Sequence, residues 1–387
     1  MKPIGEVVTT IGETMGRHPQ RLFGIRQSDM LHHMAVFGQT GTGKSTLLAH
    51  LMRQDANHGT GFCLIDPHGD LAKQITSELK SEHIYWDVAD PHSPYGYNPL
   101  CLVTAEYRPL IASGLIDTLK KQWADAWGAR MEHLLRFALL ALLERPKSSL
   151  QDIIPMFLNK DFRSQVLAKV SDPQVRQFWE TEYKAMNFKN AADGVAPIAN
   201  KLGAFLAHPV VRKAVCDPEQ PLRFRQLMDQ GTVLIINLAK GKLGADVSNV
   251  MGGLIVSSLA HASYSRENLP VAKRSPYTLY CDEFHSFTTA AFADMLSELR
   301  KFAVSLVLTT QHTSKIEHGL FEAILGNVGT MISFRVGATD APILARQFAA
   351  DLPQPRDLIK LPNYEMFIKL MVDSNQSKPF SARTLPV

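Results

Sequence analysis

The stretch FGQTGTGKST, residues 37–46, decides the fold. Its eight residues from Gly38 to Ser45 fit the pattern G-x-x-x-x-G-K-[ST] at every fixed position. The apolar run MAVF precedes this stretch, and the amphipathic run LLAHLM follows it. A glycine loop between a strand and a helix binds phosphate groups, because its backbone N–H groups turn inward and the helix N-terminus adds a positive dipole. We therefore expect a nucleotide-phosphate site here.

The residue types of the loop predict individual roles. Lys44 would reach the β- and γ-phosphates and serve catalysis, and the Ser45 hydroxyl would bind Mg²⁺. Thr46 could donate to an α-phosphate oxygen. ATP and Mg²⁺ are therefore the expected nucleotide and metal. The residues expected to contact the nucleotide are Gly38, Thr40, Gly41, Thr42, Gly43, Lys44, Ser45 and Thr46.

A pair of acidic residues follows a later apolar run, in YTLYCDEF. Asp282 would hold Mg²⁺, usually through water, and Glu283 would orient and deprotonate the attacking water. The alternative is that the two carboxylates cap the next helix. An isolated Asp would suit a kinase or a GTP switch equally well, so the added Glu283 favours hydrolysis.

Gln311 ends the next apolar run, VSLVLTTQ. A polar residue at the end of a strand beside the acidic pair can sense the γ-phosphate and relay its loss to neighbouring loops. The alternative is a Gln that merely starts a loop. We count Gln311 with Lys44 and Glu283 among the candidate catalytic residues.

Short β-like runs alternate with helical patterns over residues 30–105 and again after residue 226. This spacing is typical of βαβ units, and the runs are β-branched and apolar, as buried parallel strands should be. The fold class predicted is α/β with a mostly parallel sheet. The predicted strands are HHMAVFG, GFCLID, HIYWDV, GTVLIINL, YTLYCDE, VSLVLTTQ and TMISFRVG.

The character changes over residues 106–225. In MEHLLRFALLALL the apolar side chains recur at the i, i+3, i+4 spacing of a helix buried on one face. No convincing strand interrupts this segment, which predicts an all-α domain inserted into the α/β domain. The domain assignment is therefore 1–105 and 226–387 for the nucleotide-binding domain, and 106–225 for the insertion.

Composition excludes several classes of protein. Apolar residues make up 45% of the 387 residues and charged residues 20%, as in ordinary globular proteins. No segment has the ~18 uninterrupted apolar residues of a membrane-spanning helix, and the N-terminus lacks the apolar core of a signal peptide. The four cysteines show no metal-ligand spacing. We expect reduced core thiols and a cytoplasmic protein.

The positive charge is concentrated in the middle of the chain. The net charge is +4, and residues 106–225 alone carry 18 Lys and Arg against 13 Asp and Glu. This excess could favour an acidic partner such as DNA. A solvated helical surface explains it equally well.

Seven motifs occur in the order seen in conjugative coupling ATPases. The phosphate loop and LYCDEFHSF are accompanied by five further segments, LIDPHGDL, IINLAKGKLG, LSELRKF, LTTQH and GNVGTMISFRVGATDA. WGARMEHLLRFALLALLE and PIANKLGAFLAHPVVR resemble the all-α domain of the same family. Over residues 20–385 the chain thus resembles the TraG/TraD-like proteins of type IV secretion, within the HerA/FtsK superfamily. The resemblance implies a RecA-like P-loop NTPase fold.

The same resemblance implies a homo-hexameric ring with ATP at the subunit interfaces and DNA in the central channel. It also implies that the neighbouring subunit supplies an arginine, which matches Arg300 in LSELRKF. Such a charge would stabilise the transferred phosphoryl group. Arg335 in ISFRVG is a second candidate, and an exposed surface residue is the alternative reading of Arg300.

Six other residues raise weaker expectations. Asp66 and Asp70 could tune the site, or could form a turn and a helix cap. Lys240 and Lys242 would bind DNA phosphates if their predicted flexible loop faces a channel, or could belong to a solvated turn. Trp123 and Trp127 are candidates for stacking on bases, and the alternative is that they belong to a core, where aromatic residues in such positions are more often found.

Conjugative coupling proteins usually carry N-terminal membrane-spanning helices, and none occurs here; the residues before the loop suffice for a β-hairpin around RLFGI. We expect no membrane insertion and a ring-forming, DNA-stimulated ATPase that moves single- or double-stranded DNA without reading sequence. A relaxase, a nuclease or a secretion channel would be its further partner. The alternatives are a motor for protein substrates in secretion or defence and a nucleotide-switched assembly protein.

Overall fold

The computed structural model describes residues 7–16, 19–101, 103–186, 188–288, 291–348 and 353–385. The chain divides into two compact units. The first comprises Met1–Tyr85, Phe224–Ala239 and Ala262–Val387, and the second comprises Trp86–Arg223 and Lys240–His261.

Within the described residues, eleven strands form one sheet and four more form two short strand pairs outside it. The strands are β1 Val8–Thr14, β2 Leu22–Arg26, β3 Met34–Phe37, β4 Gly61–Asp66, β5 His83–Asp87, β6 Tyr95–Gly96, β7 Gln220–Pro221, β8 Val233–Asn237, β9 Tyr277–Cys281, β10 Val304–Thr310, β11 Thr330–Ser333, β12 Glu365–Lys369, β13 Met371–Val372, β14 Asn375–Gln376 and β15 Phe380–Thr384. Their order in the sheet is β2-β1-β15-β12-β11-β3-β10-β9-β4-β8-β5, and the two short pairs are β6 with β7 and β13 with β14.

Six neighbouring strands, β11, β3, β10, β9, β4 and β8, are joined by parallel pairings. Every residue of these six strands is buried. A parallel sheet covered on both faces reads as continuous apolar runs, and all six were visible in the sequence for this reason. The predicted α/β class with a mostly parallel sheet is confirmed.

The sheet continues through β12, β15, β1 and β2, which pair antiparallel in that order from β11. The β1–β2 hairpin agrees with the expectation around RLFGI. The sequence analysis missed β12 and β15, whose side chains are only partly buried. Such strands carry a weaker apolar signal than fully buried ones, because one face is free to be polar.

The helices follow the expected alternation with the strands. They are α1 Gln27–Met30, α2 Lys44–His58, α3 Asp70–Glu78, α4 Arg108–Gln122, α5 Ala129–Leu143, α6 Ile153–Leu158, α7 Lys160–Leu167, α8 Pro173–Gln177, α9 Tyr183–Ala185, α10 Phe188–Leu206, α11 Pro209–Cys216, α12 Phe224–Gln230, α13 Lys240–Leu243, α14 Ala245–Tyr264, α15 Ala291–Glu298, α16 His318–Asn327, α17 Ala341–Phe348 and α18 Pro355–Lys360. Within the described ranges, no helix is long and apolar enough to cross a membrane.

The second unit is mainly helical, but its limits differ from the predicted 106–225. It also takes in residues 86–105 and 240–261, and β7 with its partner β6 introduces a short strand pair. A Cβ on Gly114 of α4 would lie 2.4 Å from the Ser257 Oγ of α14, so the two helices pack closely. This long-range packing assigns residues 240–261 to the helical unit, which no local pattern indicates.

Helix α2 is anchored to the sheet by a buried carboxyl group. Asp55 is 5% exposed and accepts a hydrogen bond of 2.6 Å from the Tyr280 hydroxyl on β9. Burial raises the pKa of Asp55 to about 7 from its ordinary 3.8, although the hydrogen bond from Tyr280 opposes the rise. The helix that follows the phosphate loop is therefore fixed to the strand that precedes the acidic pair.

We expect Asp55→Asn to flatten the dependence of stability on pH. A carboxyl with a raised folded-state pKa stabilises the fold fully below its unfolded pKa, and this contribution falls by about 1.4 kcal/mol per pH unit as pH rises toward 7. Asn has the shape of the protonated carboxyl and cannot ionise. Urea unfolding of wild type and variant should converge near pH 4 and diverge toward pH 8 in favour of the variant. Parallel curves would contradict the assignment.

Candidate nucleotide-binding site

The phosphate loop connects β3 to α2, as its sequence context predicts. Gly41 has φ +75° and Gly43 has φ +123°, backbone conformations that side chains with a Cβ rarely adopt. Gly38 is required for a different reason, since a Cβ there would lie 2.8 Å from the Cβ of Phe334. The Thr42 hydroxyl donates to the Gln39 carbonyl at 2.8 Å and closes the loop from within.

Lys44 places its ammonium group inside the loop. Its Nζ donates to the carbonyls of Gly38 at 2.6 Å and of Gln39 at 3.1 Å. Burial lowers the pKa of Lys44, while Glu283 and then Asp282 oppose this by attraction. The positive charge is thus held beneath the loop, between the phosphate cradle and the acidic pair.

Asp282 directly follows β9 and has its carboxylate oriented by the neighbouring strand. The Thr309 hydroxyl on β10 donates to Asp282 Oδ1. Burial raises the pKa of Asp282 to about 6; the Thr309 hydrogen bond opposes this, Asp66 and Glu283 add to it, and Lys44 attracts the charged form. The carboxylates of Asp66 and Glu283 therefore repel that of Asp282 at the site, and the ammonium group of Lys44 attracts it.

Glu283 adopts a left-handed backbone conformation, with φ +45°. Its side chain is almost fully buried, and its backbone N–H donates to Asp282 Oδ1 at 3.1 Å. Non-glycine residues in this region are uncommon, and such strain concentrates at functional sites. The conformation places two adjacent carboxylates at one site, where a regular strand would send them to opposite faces.

His285 is a neighbour of Glu283 that the sequence analysis did not single out. Its Nδ1 lies 3.4 Å from Glu283 Oε2 and 3.1 Å from Thr310 Oγ1. His285 belongs to a 3₁₀ turn, Phe284–Ser286, and nothing in the spacing of the acidic pair predicts that this turn would fold back toward β10. The contact orients the Glu283 carboxylate.

Gln311 follows β10 and contacts the phosphate loop. Its Oε1 accepts a hydrogen bond of 2.9 Å from the Thr40 hydroxyl. Gln311, the candidate γ-phosphate sensor, is thus hydrogen-bonded directly to the loop that would hold the phosphates. Gly38 N–H also donates to the Thr310 carbonyl at 3.2 Å, which fixes the two chain segments together.

These groups surround a cavity of about 440 Å³, a volume typical of small-molecule sites. Nine of the predicted site residues line it: Thr40, Gly41, Gly43, Lys44, Ser45, Thr46, Asp282, Glu283 and Gln311. Asp66 and Asp70, the weaker candidates, line it as well, together with His68, Leu71 and Tyr364, which were missed. Gly38 and Thr42 belong to the loop but not to the lining.

Asp66 serves the turn between β4 and α3. Its two carboxylate oxygens accept hydrogen bonds of 2.9 Å from the backbone N–H groups of His68 and Ala72. Gly69 has φ +88°, and a Cβ there would lie 2.2 Å from Asn237 Oδ1. The turn-and-cap reading of this segment therefore describes Asp66, which at the same time contributes negative charge to the cavity.

The two candidate trans-acting arginines have different surroundings. Arg300 is exposed on a 3₁₀ turn after α15, and its Nη1 lies 3.2 Å from His32 Nδ1. It is not among the residues that line the cavity of its own chain. Arg335 lies beyond the end of β11 and donates to the Leu361 carbonyl at 3.2 Å and to Asn363 Oδ1 at 2.9 Å. Arg335 is thus engaged within its own chain.

In the helical unit, the surroundings of the candidate DNA-binding lysines and tryptophans differ from a flexible loop and a base-stacking surface. Lys240 and Lys242 belong to helix α13 and not to a flexible loop, and Lys242 Nζ lies 3.7 Å from Asp87 Oδ2. Trp123 is buried, and Trp127 donates through Nε1 to Glu132 Oε2 at 2.9 Å. Trp123 therefore belongs to the core, as the alternative interpretation states, whereas Trp127 is half-buried and hydrogen-bonded to Glu132.

The residues present fit a nucleotide with Mg²⁺. Among the described side chains, no group of three His, Cys, Asp or Glu is placed to hold a metal by itself. Mg²⁺ typically binds through one or two carboxylates together with substrate phosphates. Ser45 and Asp282 line the cavity and can supply the protein ligands, and a divalent cation bound there would favour the charged form of Asp282, which burial disfavours.

We expect Thr309→Val to weaken Mg²⁺-dependent ATP binding about tenfold, because groups that orient a metal-binding carboxylate commonly contribute this much. Valine has a similar shape but no hydroxyl, whereas Thr309→Ser keeps the donor and should bind as wild type does. Calorimetric titration with Mg²⁺ and with a chelator provides the comparison. An equal loss of affinity in both conditions would show that Thr309 acts only through packing.

Comparison with known proteins gives one family and a consistent fold. The family model described as "Helicase HerA, central domain" matches residues 10–257, which include the phosphate loop but end before the acidic pair. No curated protein sequence matches the chain.

Three solved structures are similar throughout. The bacterial conjugative coupling protein TrwBdeltaN70 is 17% identical, with a TM-score of 0.68 over 94% of this chain and 86% of that chain. TrwB in complex with ADP and Mg²⁺ is 17% identical, with a TM-score of 0.68 over 94% and 87%. VirB4 of Thermoanaerobacter pseudethanolicus is 12% identical, with a TM-score of 0.68 over 99% and 97%.

At these identities the three structures establish a shared fold and nothing further. The family model covers more than half of the chain and therefore establishes the family. The phosphate loop, the parallel sheet and the matched residues agree: the chain is a member of the HerA helicase family, within the HerA/FtsK group of P-loop ATPases.

Proposed function

We propose that this protein is an ATP-driven DNA translocase that works as a homo-hexameric ring and hydrolyses ATP at its subunit interfaces. The observation that carries the proposal is the cavity in which Glu283 joins Lys44 and Asp282. A phosphate cradle alone would suit any nucleotide-binding protein. A buried glutamate held at the phosphate end of the cavity adds a base for water, which hydrolysis requires.

The residues at the phosphate end of the cavity divide the steps of the reaction among them. Lys44 and the loop N–H groups bind the phosphates. Ser45 and Asp282 would hold Mg²⁺, which when bound would supply positive charge to the phosphate oxygens. Glu283, oriented by His285, takes a proton from the attacking water. Gln311, hydrogen-bonded to Thr40, passes the loss of the γ-phosphate from the loop to β10.

A trans-acting arginine is the part that a single chain lacks. Arg300 is exposed, lies outside the cavity of its own chain and contacts through its side chain only His32 among the described hydrogen-bond partners, which suits a residue that reaches a neighbouring subunit. Arg335 donates to two partners within its own chain, at Leu361 and Asn363. Arginine supplied in trans commonly raises the rate of phosphoryl transfer by roughly 10³- to 10⁵-fold. Hydrolysis in this arrangement depends on ring assembly, which would couple the sites of neighbouring subunits.

DNA is the proposed substrate of the motor. The family to which the chain belongs is described as a helicase family, and TrwB is described as a conjugative coupling protein. Residues 106–225 hold the net positive charge of the chain, which suits contacts with the phosphate backbone of single- or double-stranded DNA without reading of sequence. In this proposal the helical unit engages DNA or a DNA-bound relaxase, nuclease or channel protein.

The first test is the ATPase rate with and without single- and double-stranded DNA. We expect DNA to stimulate hydrolysis and Glu283→Gln to lower the rate by roughly 10²- to 10⁴-fold, because Gln cannot accept the proton. Glu298→Gln is the matched control, since Glu298 bonds Lys301 on the protein surface. Hydrolysis that is indifferent to DNA would favour a protein-substrate motor, and full activity of Glu283→Gln would contradict hydrolysis at this site.

A second test uses mixed rings. We expect Arg300→Ala to reduce the ATPase rate by about 10³-fold, while Lys301→Ala on the same turn leaves it unchanged. Mixing Arg300→Ala with Glu283→Gln subunits should restore activity, because an intact Glu283 site then receives Arg300 from its neighbour. If the mixture stays inactive although rings form, Arg300 does not act in trans.

A further inference from the structure

Tyr364 lines the nucleotide cavity but has no part in the chemistry proposed above. It lies between α18 and β12, and the residue is 48% exposed. A large aromatic residue that is half exposed at the wall of a binding cavity can offer the face of its ring to a ligand.

The backbone of Tyr364 is held in an unfavourable conformation. Its φ is +70°, in the left-handed region that suits glycine and is rare for a bulky side chain. Two backbone hydrogen bonds impose it: Tyr364 N–H donates to the Thr42 carbonyl at 2.8 Å, and Thr384 N–H donates to the Tyr364 carbonyl at 2.9 Å. A glycine at this position would make both hydrogen bonds without backbone strain. A tyrosine here keeps its ring at the cavity in spite of the strain, and such strain concentrates at functional sites.

The ring is also fixed with respect to the phosphate loop. Arg335 secures the preceding segment through the Leu361 carbonyl and Asn363 Oδ1. A Cβ built on Gly43 would lie 3.3 Å from Cδ1 of the Tyr364 ring, so ring and loop are in close contact. The loop and the ring therefore form one preorganised wall of the cavity.

The chemistry of the loop indicates which part of a nucleotide this wall meets. Lys44, Asp282 and Glu283 mark the end where the β- and γ-phosphates bind, and Thr46 marks the α-phosphate. Tyr364 lies against the loop at Gly43, where α2 begins, and lines the same cavity as Thr46. The base extends beyond the α-phosphate, on the side away from the reacting phosphate.

We propose that Tyr364 is the base platform of this site, a subsite whose ring stacks on the face of the nucleotide base. The inference rests on the proposed nucleotide-binding function and deepens it. Stacking uses the π-face, which every base has, and does not read the base edge. The subsite therefore contributes affinity for ATP and GTP alike and leaves the γ-phosphate chemistry to the other end of the cavity.

The test compares Tyr364→Gly, which removes the ring while suiting φ +70°, with Tyr364→Phe, which keeps the aromatic face. The probes are ATP, GTP and inorganic tripolyphosphate, which has no base. We expect Tyr364→Gly to bind ATP and GTP about tenfold more weakly and to bind tripolyphosphate as wild type does. Tyr364→Phe should retain wild-type affinity for all three.

Three results would overturn the platform. Equal ATP affinity of wild type and Tyr364→Gly would show that the ring does not meet the base. An equal loss for ATP and tripolyphosphate would show that Tyr364 only supports the loop, and a loss in Tyr364→Phe equal to that in Tyr364→Gly would assign the effect to the hydroxyl. Failure of the proposed function looks different: wild type would bind none of the probes more tightly than Lys44→Ala does.

Discussion

The parallel alignment of four neighbouring strands is the constraint on which the site depends. In the register of the sheet, Phe37 at the end of β3 pairs with Thr310 at the end of β10, and Cys281 at the end of β9 pairs with Leu308 and with Ile65 of β4. Parallel strands present their carboxyl ends at one edge. The phosphate loop, the acidic pair, Gln311 and Asp66 therefore meet there, although they are far apart in the chain.

Electrostatic imbalance is the second property of this edge. Lys44 attracts Glu283 and Asp282, Asp66 and Glu283 repel Asp282, and burial opposes the charged forms of Lys44 and Asp282. The hydrogen bonds from Thr309 to Asp282 and from His68 and Ala72 to Asp66 orient the carboxylates. An arrangement with surplus negative charge favours a polyphosphate only together with a divalent cation, which is how the site and its proposed ligand fit each other.

The antiparallel strands at the other side of the sheet contribute to the same site from the C-terminal part of the chain. Tyr364 precedes β12, and its carbonyl accepts a hydrogen bond from Thr384 on β15. These strands thus extend the sheet and also position a ring against the phosphate loop. The helical unit has its own packing, with α4 and α14 in close contact at Gly114.

The sequence by itself determined the phosphate loop, the acidic pair, Gln311 and the six buried parallel strands, because each is written in consecutive residues whose pattern reports the local backbone and its burial. Tertiary structure alone decided that His285 orients Glu283, that Tyr364 lines the cavity, that α14 packs with the helical unit and that Arg335 is bonded within its chain. These features join residues distant in the chain or depend on a strained backbone. Neither leaves a periodic signal, since both arise only when the sheet has brought its strand ends together.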